Sequence, residues 1–231
     1  MEVIHATGID GARQARGIAI VIDVLRAFTV SAYALAGGAR ECRLVIDTSQ
    51  ALALAKSIPG AIVSAEEEGL PIPGIAISNS PTQIKAAVMN KRVLVQRSSA
   101  GTQVAAAVPK DVDMFAASLV VARATVQACL LRRPSPAQIT LVASADHPED
   151  HACGLYMAAI IRGARPDISK LLQPLRESER YARLTSGAWP GFPATDLELA
   201  LQPDRFDFAM PAKREAGYIS LTRADQPNAS S

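Results

Sequence analysis

Gly17-Ile-Ala-Ile-Val-Ile-Asp23-Val-Leu-Arg26-Ala27 is an apolar run that stops at an aspartate, with an arginine three residues further on. Residues 17–22 show no polar alternation, so both faces of this strand are covered, as in a parallel sheet flanked by helices. Val24 to Ala36 is Ala-rich and helix-favouring, which predicts Asp23 at the strand's carboxyl end and Arg26 in the first turn of the next helix. In open α/β sheets, ligand sites form at that edge.

The pattern recurs down the chain. Ala61-Ile-Val-Ser-Ala-Glu66 ends in an acid and Arg92-Val-Leu-Val-Gln-Arg97 in a base. Met114-Phe-Ala-Ala-Ser118 and Ile139-Thr-Leu-Val-Ala-Ser144 end in hydroxyls. A polar group after a strand is usually a solvated loop residue. Several strands delivering such groups to one edge predict a site.

Between these strands the sequence reads as helix. Gly37-Gly38 closes the first helix, Arg43 to Ile46 forms a strand, and Thr48 caps a helix over 49–57. Glu67-Glu-Gly-Leu-Pro-Ile-Pro-Gly74 is too rich in Pro and Gly for regular structure and reads as a functional loop. Ser80 caps the next helix, with Pro81 at its first position and its end near Met89. Ser98-Ser99-Ala100-Gly101-Thr102 leads into a helix over 103–107, a hydroxyl-rich turn suited to an anion. It lacks the lysine of a P-loop. A long helix from Leu119 to Arg133 and another opening at His147 complete the alternation, which predicts a three-layer α/β sandwich with a largely parallel sheet. Residues 1–163 form the core that carries the site. Residues 164–231 read as a helical and edge-strand covering extension of the same domain: an amphipathic stretch over 167–184, an irregular segment around Trp189, a strand at Phe206 stopped by Pro211, and a frayed tail over 226–231.

Composition bounds the function. Of 231 residues, 49% are hydrophobic and only 4% aromatic, and the net charge is +2, which gives neither stacking platforms nor a basic footprint for nucleic acid. Apolar runs fall short of the roughly 20 residues of a membrane span and the N-terminus has no signal-peptide pattern, so the chain reads as soluble and cytoplasmic, without a membrane partner. A small anionic substrate fits this charge balance, and a homo-oligomer is compatible with it. Cys42, Cys129 and Cys153 have no metal-ligand spacing. His147 and His151 stand at i and i+4 without a further ligand motif, and Cys153 lies on an Ala- and Gly-rich helix; the first reads as an exposed cap and the last as core.

The ordered series Val21-Ile-Asp-Val-Leu-Arg-Ala27, Glu66 with Gly69, Asn79-Ser-Pro81, Ala100-Gly-Thr102, Ser118 and Glu149-Asp150 through Cys153 resembles the 2-phosphosulfolactate phosphatase (ComB) family, and Asp196 and Met210-Pro211 fit its tail. The resemblance implies an α/β, magnesium-dependent phosphoric monoester hydrolase acting on 2-phospho-3-sulfolactate on the route to coenzyme M. The chain departs from the family pattern in three places. Ala76-Ile-Ser-Asn-Ser-Pro81 stands for Asp-Leu-Gly-Asn-Ser-Pro, Ser98-Ser-Ala-Gly-Thr102 for Thr-Thr-Asn-Gly-Thr, and Val121 for an asparagine. An acid and two amides are thus replaced.

Phosphoester hydrolysis needs positive charge on the phosphoryl oxygens, a positioned nucleophile and a proton for the leaving oxygen. Asp23, Glu66 and Asp150 supply carboxylates as catalytic groups and as oxygen ligands for Mg2+. Asp23 suits either metal ligation or attack on phosphorus. It is not a haloacid-dehalogenase nucleophile, because Leu25 stands where that family needs a second aspartate. Arg26 and Arg97 are the anion holders, joined as substrate-binding residues by Asn79, Ser80, Ser98, Ser99, Gly101, Thr102 and Ser118. A structural salt bridge from Arg26 to Asp23 or Glu66 is the competing reading of that arginine. Two alternatives stand beside the phosphatase: a non-catalytic binder of a phosphorylated or sulfonated metabolite, and a phosphatase for a different ester.

Overall fold

The computed structural model describes residues 1–132 and 135–225. Strand and helix alternate from the start: β1 (Glu2–Thr7), α1 (Gly8–Arg13), β2 (Ile18–Ile22), α2 (Ala27–Ala36), β3 (Glu41–Val45) and α3 (Thr48–Lys56). β4 (Ile62–Glu67) and the short β5 (Leu70–Pro71) precede α4 (Pro81–Ala86), and β6 (Val93–Arg97) leads into α5 (Gly101–Ala107). β7 (Asp113–Ala117) passes through a 3₁₀ turn at Leu119–Val121 into α6 (Ala122–Leu130), and β8 (Gln138–Ala143) into α7 (Pro148–Ile161). Short helices α8 (Ile168–Leu171), α9 (Gln173–Arg176), α10 (Glu179–Thr185) and α11 (Thr195–Ala200) follow, then β9 (Phe208–Glu215), β10 (Tyr218–Leu221) and β11 (Ala224–Asp225).

The strands form one mixed, mostly parallel sheet flanked by helices, in the order β1-β8-β2-β7-β9-β10-β3-β6-β4-β5. β1, β8, β2 and β7 pair in parallel on one side, as do β3, β6 and β4 on the other. Between the two sets lies the antiparallel β9–β10 hairpin. The strand expected at the sheet's edge is therefore in its interior, and proline does not stop it. Pro211 lies opposite Phe115 of β7. On its other side β10 pairs with residues 212–215 and β11 with 208–209, so the missing N–H falls between two ladders and interrupts neither.

α2 explains how so long a sheet makes one site. Its sequence is apolar on every side, the signature of a helix with no solvent face, and Ala27 to Leu35 are all buried. It packs against β3, β7, α4 and α5. Five strand spacings separate β2 from β6, which in a flat sheet would hold their ends roughly 24 Å apart. Yet a Cβ placed on Gly101, just past β6, would lie 2.5 Å from Asp23 Oδ2, just past β2. The sheet thus curls around α2 and brings distant strand ends together. The hydroxyls inside this helix are satisfied locally: Thr29 Oγ1 donates to Val24 O at 2.7 Å and Ser31 Oγ to Gln96 Oε1 at 2.6 Å.

Several boundaries differ from the sequence reading. Arg26 is the N-cap residue of α2 rather than a member of its first turn, and the Leu25–Arg26 peptide is cis. Asp47, not Thr48, caps α3, because its carboxylate accepts from Gln50 N at 2.7 Å. The Pro/Gly loop contains regular pairing after all, with β5 folded back on Glu66 and Glu67. α4 ends at Ala86, α5 begins at Gly101, and the helix expected from Leu119 opens as 3₁₀. Arg133 and the tail 226–231 lie outside the described residues. No helix among the described residues is long and apolar enough to cross a membrane.

Candidate functional site

Asp23 ends β2 and is 4% exposed. Its Oδ1 accepts from Ala27 N at 2.9 Å, which fixes the carboxylate across the start of α2. Gly101 has no side chain where Oδ2 sits, and any Cβ there would collide with it. Burial raises the Asp23 pKa most, the Ala27 N–H opposes that, and the nearby charge of Glu66 adds to it; the result is about 6.

Glu66 arrives from β4 and is held by the turn after β6. Its Oε1 accepts from Ser99 N at 2.5 Å, and its Oε2 from Gly69 N at 2.6 Å and Ser99 Oγ at 3.2 Å. Ser98 and Thr102 bond reciprocally: Ser98 N donates to Thr102 Oγ1 and Thr102 N to Ser98 Oγ, each at 3.0 Å. Both hydroxyls thus hold the turn's shape. Arg97 turns away from Asp23. Its Nη1 donates to Glu66 O and to Ser99 Oγ, and its side chain lines a neighbouring groove with Glu67, Glu68 and the Leu70–Pro73 segment.

Asn79 has a left-handed backbone (φ 58°) and is 3% exposed. Ser80 caps α4 and also donates to Asp196 Oδ1 at 2.7 Å. Asp196 is the partner of Arg26: Nη1 lies 2.9 Å from its Oδ2 and 2.6 Å from Gly191 O, with the guanidinium carbon 4.4 Å from the Phe192 ring centre. The competing reading, a salt bridge from Arg26 to Asp23 or Glu66, does not hold, because the ion pair is made with a residue 170 positions away. Burial lowers the Arg26 pKa most, and Asp196 opposes that.

Together these elements enclose a cleft of about 280 Å3 lined by Asp23, Arg26, Glu66, Asn79, Ser98 and Ser99 on the sheet side. Arg180, Leu184, Trp189 and Phe192 line it from the covering segment, and His147 completes the wall. Arg180 is a site residue that sequence reading passed over. It approaches Glu149 Oε1 through Nε at 3.0 Å and Nη2 at 2.8 Å, and nothing in the spacing of residues 149 and 180 announces that contact. His147, read as a cap, does stand at the N-cap position of α7, but it faces the cleft; burial and the charge of Arg180 lower its pKa.

Asp150, Thr102, Gly101, Ser80 and Ser118 are near the site without lining the cleft. Asp150 lies behind Asp23, its Oδ1 accepting from Val24 N at 2.8 Å and its Oδ2 from Ser144 Oγ at 3.0 Å. Burial, then the Asp23 charge, raises its pKa well above the usual carboxylate range. Ser118 is fully buried and its Oγ has no hydrogen-bond partner among the described residues. Cys153 is a buried thiol whose pKa burial drives up, as a core residue's should be. Among the described residues, no three His, Cys, Asp or Glu side chains are grouped closely enough to form a ready-made metal cage.

A sequence profile of 2-phosphosulpholactate phosphatase matches residues 5–214. The chain belongs to the 2-phosphosulfolactate phosphatase family. It is 30% identical over 210 residues to a probable 2-phosphosulfolactate phosphatase of Bacillus subtilis, covering 89% of this chain and 91% of the relative. A probable 2-phosphosulfolactate phosphatase of Deinococcus radiodurans is 38% identical over 85 residues, 37% of this chain and 35% of the relative. One of Carboxydothermus hydrogenoformans, with the same name, is 33% identical over 105 residues, 46% and 43% of the respective chains.

Membership of the 2-phosphosulfolactate phosphatase family gives weight to where the departures fall. Ala76 is exposed and outside the cleft, and Val121 is buried within the 3₁₀ turn. Of the three replaced polar positions, only Ala100 lines the cleft.

Proposed function

We propose that this cleft hydrolyses the phosphomonoester of a small 2-hydroxy acid carrying further anionic groups, with 2-phosphosulfolactate as the first substrate to test and Mg2+ as cofactor. The observation that carries the reading is the meeting of Arg26 and Arg180 with the carboxylates Asp23 and Glu66 in one cleft, from three separate parts of the chain. A phosphomonoester that also bears a sulfonate and a carboxylate needs more than one cation to hold it, and a guanidinium serves each of these groups in a forked geometry.

The donor set suits magnesium. Mg2+ takes one or two carboxylates and completes its shell with water and substrate phosphate oxygens, so Asp23 and Glu66 suffice without a closed cage. The bound cation would neutralise charge on the phosphoryl group and lower the pKa of its water. The protein's own residues do the rest. Asp150, behind Asp23, holds the Val24 N–H and so fixes the backbone that leads from Asp23 into α2. Arg26, with Nη1 spent on Asp196 and Gly191, turns the remainder of its fork to a substrate anion. His147, kept neutral by burial and by Arg180, accepts a proton at the cleft wall. Leu184, Trp189 and Phe192 exclude water from the opposite side.

Catalysis is favoured over binding alone because two of the three replaced family positions lie outside the cleft. The test is phosphate release from a panel of phosphorylated 2-hydroxy acids, with and without Mg2+ and after EDTA. Turnover that EDTA abolishes and Mg2+ restores is expected. Full activity in rigorously metal-free buffer removes the magnesium part, and tight binding with no release of phosphate from any ester makes the protein a binder.

A further inference from the structure

We propose that Gln96, in the core beneath the cleft, is a positioning residue that fixes which edge of Asn79 faces the substrate. Gln96 lies in β6, is fully buried, and follows three buried apolar strand residues, Val93, Leu94 and Val95. Its amide touches three groups. Nε2 is 2.7 Å from Ala27 O and 2.8 Å from Asn79 Oδ1, and Oε1 is 2.6 Å from Ser31 Oγ.

The orientation follows from one backbone carbonyl. Ala27 O can only accept, so the Gln96 atom facing it must be the nitrogen. That nitrogen's second hydrogen points at Asn79, so the Asn79 atom there must be the oxygen. The Asn79 Nδ2, with two N–H groups and no hydrogen-bond partner among the described residues, is then the edge that this cleft-lining residue leaves to a ligand. Amide edges are otherwise easily exchanged, and a rotation of Asn79 would aim a lone pair at the substrate's anion. Gln96 removes that freedom before substrate arrives, which is how a donor is preorganised. Ala27 is also the residue whose N–H holds Asp23, so one peptide-bonded residue aligns the carboxylate with its N–H and the amide with its carbonyl.

This inference deepens the phosphatase reading and depends on it only for the kind of anion bound. The test uses orthophosphate binding by calorimetry in magnesium buffer, alongside turnover, with folding of each variant checked by circular dichroism. Gln96→Glu keeps the shape but offers at most one hydrogen where two are required. The Ala27 carbonyl cannot turn away, so Asn79 must. Gln96→Leu merely frees Asn79. We expect Gln96→Glu to weaken orthophosphate binding by about tenfold or more, the loss of a hydrogen bond to a charged group, and Gln96→Leu to weaken it less. In an Asn79→Ala background the two Gln96 variants should bind orthophosphate equally. A merely structural role predicts the reverse ranking, since Leu discards the whole network, and that result overturns the proposal. Should both Gln96 variants fail to fold, Asn79→Asp, which is isosteric and cannot donate, must lose at least as much affinity; parent-like binding overturns the proposal. Ranked binding without turnover of 2-phosphosulfolactate sinks that substrate and leaves the role of Gln96 standing, whereas no orthophosphate binding by the parent protein sinks both.

Discussion

Replacing Asp23 by Asn should inactivate the protein and make it more stable. The carboxylate is 4% exposed and burial pushes its pKa from 3.8 to about 6. Above pH 6 the folded protein therefore carries a charge that the unfolded chain carries more cheaply. The sign follows from proton counting: between pH 4 and 6 the folded state holds the proton that the unfolded state has released, so stability falls as pH rises through this window. The shift of 6 − 3.8 = 2.2 units corresponds to about 3 kcal/mol at pH 8, taking 1.36 kcal/mol per unit. For a chain of this length that is a rise in melting temperature of roughly 6–12 °C. Asn keeps the Ala27 N–H bond to Oδ1 and differs only at the uncharged edge beside Gly101. The assay is thermal unfolding of parent and variant in EDTA from pH 4.5 to 8, with phosphate release measured separately in magnesium. The gain should shrink toward zero near pH 4. A variant that melts at or below the parent at pH 8, or a gain independent of pH, would refute the argument.

Two further outcomes follow from the same geometry. Asp196→Ala strands the buried Arg26 charge and removes the acceptor of Ser80 and Thr82, so it should cost about 3–5 kcal/mol in urea unfolding; an unchanged midpoint would show that this ion pair carries no structural weight. Gly101→Ala places a Cβ 2.5 Å from Asp23 Oδ2 and 2.9 Å from Ala27 Cβ at a position with ordinary backbone angles; turnover should fall at least about tenfold for a stability loss of about 1–3 kcal/mol, and parent-like kcat would mean that the Asp23 position is not critical.

What the sequence disclosed was local. The apolar strand ending at Asp23, the Gly37-Gly38 stop and the Ser80-Pro81 helix start are all decided by residues a few positions apart, and they stand as read. Choices between neighbours were less secure: Asp47 outcompetes Thr48 as a cap because its carboxylate, one residue earlier, reaches Gln50 N. Contacts across the chain left no mark in spacing. Arg26 finds Asp196, Glu149 finds Arg180, and Gln96 finds both Ala27 and Asn79, each through tertiary packing. One signal was present for Gln96, a polar residue at an apolar strand position, which demands partners inside. Pro211 misled because proline is excluded from a strand only where a ladder needs its N–H.

The insertion of β9–β10 between the two parallel sets also fixes when the site can exist. Every cleft-lining residue lies between positions 23 and 192, upstream of Phe208. Yet among the described residues the β2 side, which bears Asp23, is joined by strand ladders to the β6 and β4 side, which bears Ser98 and Glu66, only through residues 208–221 between them. During synthesis every cleft-lining residue is therefore made before the hairpin whose ladders tie the two half-sheets together. That late hairpin is the clasp that joins the two halves of the site.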